Sequence, residues 1–212
     1  MVSTDPVAEG GEVRQRILDA AAELFAEFGF GGAGVDAIAR RAGVNKAMLY
    51  YHVGDKGALF GEVVQTNVER IRQAVAAALA KTDDPRKRLH AIPRAFASAA
   101  RQRLFLPQLM LREIAAGGPN LPSAAIEQMA EVMGMTKAVL EDGLGKGVFR
   151  RVDPFVTHLM LVGSLMFMAN ALRMRQRFEH VSSIPAEAAT DLEAMSDRMA
   201  DIVLEGIAAK NP

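Results

Sequence analysis

The side chains best suited to recognition chemistry cluster between residues 46 and 56 of this 212-residue sequence. A helical wheel for residues 46–53 places one cation, one small residue and two phenols in a single sector: Lys46, Ala47, Tyr50 and Tyr51. Leu49 and Val53 fall on the opposite sector. Amines and phenol hydroxyls reach phosphates and base edges in a DNA major groove, and a small residue allows close approach. Alternatively, Tyr50 and Tyr51 could pack their rings in the core and expose only their hydroxyls.

Glycines and capping residues define the elements that would position this sector. The helices predicted here cover residues 12–28, 35–42, 46–53 and about 56–81. Their boundaries are set by glycines and by side chains that cap helices: Gly29, Gly43, Asn45, Gly54 and Asp55. Two short helices joined by a glycine turn over 35–54 predict a helix-turn-helix. Residues 36–56 include four basic and two acidic side chains, so this face is basic although the whole chain has no net charge.

The rest of the chain also shows helical patterns and almost no strand signal. Proline-initiated segments predict five further helices over approximately 85–102, 107–116, 123–145, 154–178 and 185–209. Pro93 lies inside the first of these and predicts a kink or break. We expect an all-α protein with a disordered start over 1–11, a DNA-binding domain over 12–58, and a helical ligand-binding and dimerisation domain over 59–212.

Several classes of site are disfavoured by composition. The chain has no cysteine, which excludes disulfides, zinc–thiolate sites and cysteine nucleophiles and suits a reducing cytoplasm. His90, His158 and His180 lack the spacing of metal ligands, so we expect no metal and interpret them as structural. We also find no nucleophile–base pattern and no phosphate-binding loop, and therefore expect neither a cofactor nor an enzyme.

The N-terminal segment closely resembles the DNA-binding domain of the tetracycline-repressor (TetR) family. The resemblance covers about 50 residues and is carried by these motifs: Arg16-Ile17-Leu18-Asp19-Ala20-Ala21, Leu24-Phe25, Gly29-Phe30, Val35, Ile38-Ala39, Ala42-Gly43-Val44, Leu49-Tyr50-Tyr51-His52-Val53 and Asp55-Lys56. It implies a three-helix DNA-binding domain, a helical effector domain, and a homodimer built on the last two long helices. Carried over by position, it implies these DNA contacts: Lys46, Ala47, Tyr50, Tyr51, His52 and Lys56.

The sequence departs from the family pattern in three ways. Ala33 and Gly34 stand where a hydroxyl side chain usually caps the second helix, so a phosphate contact at Gly34 would use a backbone N–H. Met48 replaces a small or polar residue and suggests apolar contact, for example with a thymine methyl. Val53 replaces the commoner phenylalanine.

The second domain is rich in methionine and phenylalanine, which suit an adaptable apolar pocket. The residues expected to line it are Phe96, Met110, Ile114, Met129 and Met133. Arg112 and Glu113 could supply a polar handle, although an ion pair between helices is the preferred interpretation.

Residues 154–172 contain no charged side chain. This length raises the possibility of a membrane span, but the polar residues within the run favour a soluble helix covered by a partner subunit. With the amphipathic last helix, it would form a four-helix dimer interface. The expected interface residues are Leu161, Leu165, Met168, Leu172, Met195, Met199 and Ile202.

These patterns predict a sequence-specific transcriptional repressor that leaves a palindromic operator when it binds a small, largely apolar ligand. Two alternatives remain open at this point. One is a helix-turn-helix protein without an effector, and the other is a carrier or enzyme that uses the C-terminal cavity.

Overall fold

The computed structural model describes residues 6–102, 106–175 and 191–209, and these residues form a helical protein. The helices are α1 (Pro6–Gly32), α2 (Val35–Ala42), α3 (Lys46–Val53), α4 (Lys56–Leu79), α5 (Pro85–Gln102), α6 (Leu106–Ala115), α7 (Ser123–Gly145), α8 (Pro154–His158), α9 (Ser164–Arg175) and α10 (Leu192–Ile207). A π-helical turn, Leu159–Gly163, joins α8 to α9. The predicted all-α class is confirmed.

Several boundaries differ from the sequence prediction. Helix α1 begins at Pro6, so the disorder predicted over 1–11 is wrong for residues 6–11; residues 1–5 lie outside the described part. Helix α5 continues through Pro93 without a break. Helix α10 begins at Leu192 with Asp191 as its cap, later than the predicted start at 185. Residues 176–190, which include His180, lie outside the described residues.

Helices α1, α2 and α3 pack around a small core that continues into α4. The rings of Phe25 and Phe60 meet edge to face, with their centroids 5.0 Å apart. Phe30 makes a similar contact with Phe60 at 5.2 Å. Helix α4 therefore belongs to both parts of the protein, because its first turns complete the core of the N-terminal helices and its later turns pack against α5 and α7.

The segment that follows α7 is bonded to the C-terminal end of α10. Phe149 and Ala208 form an isolated antiparallel bridge, and the guanidinium of Arg150 donates to the carbonyl of Gly206 at 3.0 Å. Phe149 is buried against Gly143 in α7. These contacts hold α10 beside α5 and α9.

Candidate nucleic-acid interface and ligand cavity

Helix α3 presents the side chains that the sequence placed in one sector. The side chain of Asn45 accepts a hydrogen bond of 2.8 Å from the backbone N–H of Met48, which fixes the start of the helix. Leu49 and Val53 are buried and anchor the helix to the core. The opposite side is exposed, and Tyr51 is the most accessible of its large side chains at 85%. The predicted division of this helix into a buried and an exposed side is confirmed.

The two lysines expected at the interface differ in their freedom. The amine of Lys46 is 3.2 Å from the carboxylate of Asp36 in α2, and both side chains are solvent-exposed. An exposed ion pair of this kind is weak and can be exchanged for a phosphate. The amine of Lys56 donates to the carbonyl of Gly31 at 3.4 Å and lies 4.8 Å from the ring centre of Phe30. Lys56 is therefore partly buried and less free to move toward a ligand.

Backbone N–H groups at the start of α2 can bind a phosphate, whereas one of those at the start of α4 is already hydrogen-bonded. Gly34 caps α2 in an extended conformation and supplies no side-chain hydrogen bond. At α4 the side chain of Asp55 already accepts from the N–H of Ala58 at 2.8 Å. Since unpaired N–H groups at a helix start attract phosphate, the contact expected at Gly34 is compatible with this geometry.

The C-terminal end of α3 is tied to the neighbouring helices by Arg14. Its guanidinium donates to the carbonyl of His52 at 3.3 Å and pairs with the carboxylate of Glu62 in α4. The ring of His52 is half-buried and meets the Tyr51 ring edge to face, with centroids 5.2 Å apart. Arg14 of α1 therefore contacts both the end of α3 and α4.

A cavity lies between α4, α5, α6, α7, the α8–α9 segment and the start of α10. About 80 Å³ of it is open to the centre of a water molecule, and the space between atoms is about 690 Å³ when its mouth is included. The described lining residues are apolar except for one histidine: Val68, Ile71, Phe96, Ala100, Leu106, Pro107, Met110, Met129, Val132, His158, Val162, Leu165, Met166, Ala169 and Leu192.

Three of the five residues expected in the pocket line this cavity, namely Phe96, Met110 and Met129. The other two do not. Ile114 lies near the end of α6, beyond the cavity, and is 50% exposed. Met133 is half-buried, and its neighbour Val132 takes the lining position on α7.

Among the described residues, neither Arg112 nor Glu113 forms the ion pair between helices that the sequence led us to expect. The buried carboxylate of Glu113 accepts from the side-chain amide of Asn120 at 3.1 Å. The guanidinium of Arg112 instead donates to the backbone carbonyl of Glu27 in α1 at 2.8 Å. Helix α6 therefore contacts the N-terminal helices and the cavity at once, which the sequence reasoning missed.

Comparison with known proteins identifies the N-terminal helices. A family model described as "Bacterial regulatory proteins, tetR family" matches residues 17–63. The transcriptional repressor NicS of Pseudomonas putida is 28% identical over 206 residues, which is 94% of either chain. Residues 17–63 therefore match the tetR family of bacterial regulatory proteins.

Two further transcriptional regulators show how far the similarity extends. The transcriptional activator FasR of Mycolicibacterium smegmatis is 44% identical over 85 residues, and this match spans 40% of the present chain and only 39% of FasR. The structure of FadR from Bacillus subtilis in complex with stearoyl-CoA superposes with a TM-score of 0.71 at 17% identity, covering 91% of this chain and 98% of FadR. The fold of this regulator therefore extends over most of the present chain.

The segment from α8 to α9 leaves apolar side chains uncovered. They are Phe155, Val156, Leu159, Met160 and Phe167, and Ile202 is likewise exposed on α10. Residues Pro154–Leu172 are long and apolar enough to cross a membrane, the one such segment among the described residues, and only 22% of its most apolar window is buried. An apolar face of this kind needs a cover, either a partner subunit or lipid.

The predicted interface residues do not all lie on that surface. Leu161, Leu165 and Met199 are buried within the chain itself, which corrects their assignment, whereas Ile202 is exposed. Met168, Leu172 and Met195 are half-buried. The sequence could not separate these sides, because a helix that is apolar all round has no polar stripe to fix its rotation.

The histidine of the cavity wall is His158, which the sequence led us to interpret as structural. Its ring lines the cavity and contacts Thr136 in α7. Within the described ranges, no three His, Asp or Glu side chains lie close enough together to hold a metal ion.

Proposed function

We propose that this protein is a TetR-family repressor, cytoplasmic and homodimeric, which binds a palindromic operator through α3 and is released by a small, mostly apolar ligand. The observation that carries the proposal is the double contact of α6. Leu106 and Met110 line the cavity, and Arg112 on the same helix is hydrogen-bonded to the carbonyl of Glu27 in α1. A ligand that moves α6 would thereby move α1, against which α2 and α3 pack.

Helix α4 offers a second connection between the sites. Val68 and Ile71 line the cavity, while Lys56 lies in the first turn of the same helix, beside the DNA-facing elements. Shifting a two-state equilibrium from 1:99 to 99:1 requires about 5.5 kcal/mol of differential affinity. Burial of about 200 Å² of apolar ligand surface contributes roughly this amount at 25 cal/mol per Å². This requires that most of the surface is buried in only one of the two conformations.

The two other interpretations of the sequence are less well supported. A regulator without an effector would be expected to have a filled core, whereas this chain has an apolar cavity. A carrier would need no connection between its cavity and a DNA-binding domain, yet α6 connects them. Repression is preferred to activation because NicS, a repressor, matches 94% of the chain, whereas the activator FasR matches 40%.

The dimer is inferred from the uncovered apolar surface of α8, α9 and α10. Two copies related by a two-fold axis would cover this surface and present two α3 helices to one side of a duplex. A two-fold dimer requires a palindromic operator, with half-sites separated by one or more turns of DNA at roughly 34–36 Å per turn.

Selection from a random double-stranded DNA library with the purified protein tests this proposal. We expect enrichment of one palindrome, bound by two copies of the chain. Enrichment of sequences without two-fold symmetry, or no enrichment above that of a Tyr51→Ala variant, would contradict it.

A further inference from the structure

His158 is the polar group in an otherwise apolar cavity. It ends α8 and directly precedes the π-helical turn Leu159–Gly163. Such turns often occur at functional sites in helical proteins. The other described lining residues contribute alkyl, thioether or phenyl groups, so His158 is the side chain there with hydrogen-bonding capacity.

The contact with Thr136 determines which ring nitrogen is free. The hydroxyl oxygen of Thr136 is 2.8 Å from Nδ1 of His158 and 3.5 Å from the carbonyl of Val132. The second distance exceeds the usual range of hydroxyl hydrogen bonds. This geometry favours a hydrogen bond donated by the hydroxyl to Nδ1, and a neutral ring that accepts at Nδ1 carries its hydrogen on Nε2.

Nothing in the described part of the chain accepts that hydrogen. Nε2 of His158 makes no hydrogen bond with the residues that the structure describes, although the ring borders the cavity. Burial also lowers the pKa of His158, which favours the neutral ring over the charged one. The described walls carry no charged side chain that would pair with an ionic ligand.

We propose that the ligand is an uncharged molecule with an apolar body and one carbonyl-type oxygen that accepts a hydrogen bond from Nε2 of His158. This assignment rests on the proposed role of the cavity as the effector site. It narrows the ligand class, because an anion would lose its hydration without gaining a cation from the described walls, and a hydrocarbon would leave the Nε2–H unpaired.

Three probes of similar shape and equal numbers of heavy atoms separate these possibilities: acetophenone, cumene and benzoate. Their affinities are measured by calorimetry for the parent, for His158→Leu, and for His158→Gln, whose amide nitrogen replaces Nε2 as a donor. We expect His158→Leu to weaken acetophenone binding about 3- to 10-fold, as for the loss of one hydrogen bond, and to leave cumene binding unchanged or tighter. His158→Gln should retain most of the acetophenone affinity, and benzoate should bind the parent more weakly than acetophenone does.

Unchanged cumene binding also shows that the Leu variant is folded. Equal losses for acetophenone and cumene, or no loss for either, would overturn the assignment of His158 while leaving the cavity as a ligand site. If none of the three probes binds the parent at millimolar concentration, the proposed effector site itself fails, and the assignment fails with it.

A spectroscopic measurement tests the tautomer independently of any ligand. The ¹⁵N chemical shifts of the His158 ring, assigned by comparison with His158→Gln, should show Nε2 protonated and Nδ1 bare. A hydrogen on Nδ1 would contradict the inference. In Thr136→Val the preference for Nε2 should weaken, and Thr136→Ser should restore it.

Discussion

The guanidinium of Arg112 donates a 2.8 Å hydrogen bond to the backbone carbonyl of Glu27, and so joins the cavity helix α6 to the first helix of the DNA-binding domain. Two residues earlier, Met110 lines the cavity. A cation near the C-terminal end of a helix is favourably placed with respect to the helix dipole. One short helix thus connects the cavity to the helices that hold α3.

Arg112→Ala should weaken the communication between the two sites without abolishing either. Coupling energies between sites are typically about 1–3 kcal/mol, and we expect the variant to lose at least half of the effect of a cavity ligand on operator affinity. Ligand affinity without DNA should change by less than about twofold, because Arg112 does not line the cavity. Arg94→Ala, which removes an exposed ion pair with Asp197, is the control. An unaltered ligand response in Arg112→Ala would exclude this route.

The exposed side of α3 should dominate operator affinity. Lys46→Ala should weaken binding and reduce the slope of log K against log salt concentration by about 0.9 for each phosphate that the protein no longer neutralises. Asp36→Asn should act in the opposite direction, because it frees the Lys46 amine and removes a negative charge. Lys137→Ala, an equally exposed lysine on α7, is the control.

Tyr51 provides a separate test of the same surface. Tyr51→Ala should weaken operator binding more than Tyr51→Phe, which removes the hydroxyl alone. Fluorescence anisotropy with the selected operator measures these variants. Parent-like affinity in both Lys46→Ala and Tyr51→Ala would show that α3 is not the recognition helix.

Substitution by glutamate should have different effects at two nearby residues of α9. Phe167 is 67% exposed on the apolar surface, whereas Leu165 is 3% exposed and lines the cavity. Phe167→Glu should produce a folded monomer. Leu165→Glu should destabilise the subunit itself by several kcal/mol, because it buries an unpaired charge. Sedimentation and circular dichroism distinguish the two results, and a stable monomer for the parent at micromolar concentration would contradict the proposed interface.

The packing of α7 can be tested with a matched pair of glycines. A Cβ at Gly143 would overlap the buried ring of Phe149, whereas the space around Gly134 on the same helix is open. Gly143→Ala should lower the free energy of unfolding by roughly 1–3 kcal/mol. Gly134→Ala should raise it by about 0.5–1 kcal/mol, because alanine has the higher helix propensity. Urea unfolding at fixed protein concentration measures both, and similar effects at the two positions would contradict the described packing.

The DNA-facing helices could be predicted because they follow local rules. In α3 the cap at Asn45 and the apolar pair Leu49 and Val53 fix both the start and the rotation of the helix. The rotation of the α8–α9 segment could not be predicted, since apolar residues surround it on all sides. For that reason Leu161 and Leu165 were assigned to the partner although they belong to the chain's own core.

Contacts between residues that are far apart in the chain could not be predicted from the sequence either. His158 becomes informative only when Thr136, which is 22 positions earlier in the chain and on another helix, is seen to bind its Nδ1. The position of Arg112 opposite α1 depends on packing over 85 positions. No periodicity within one helix predicts such a contact.

The central claim is that the cavity and α3 are thermodynamically coupled. The most direct measurement is the affinity of the protein for the tightest-binding uncharged carbonyl compound found by thermal-shift screening, determined with and without saturating operator DNA. Linkage requires the operator to weaken ligand binding by the same factor by which the ligand weakens operator binding, and we expect a factor of at least about 5. Equal ligand affinities in the two titrations would show that the cavity does not regulate DNA binding.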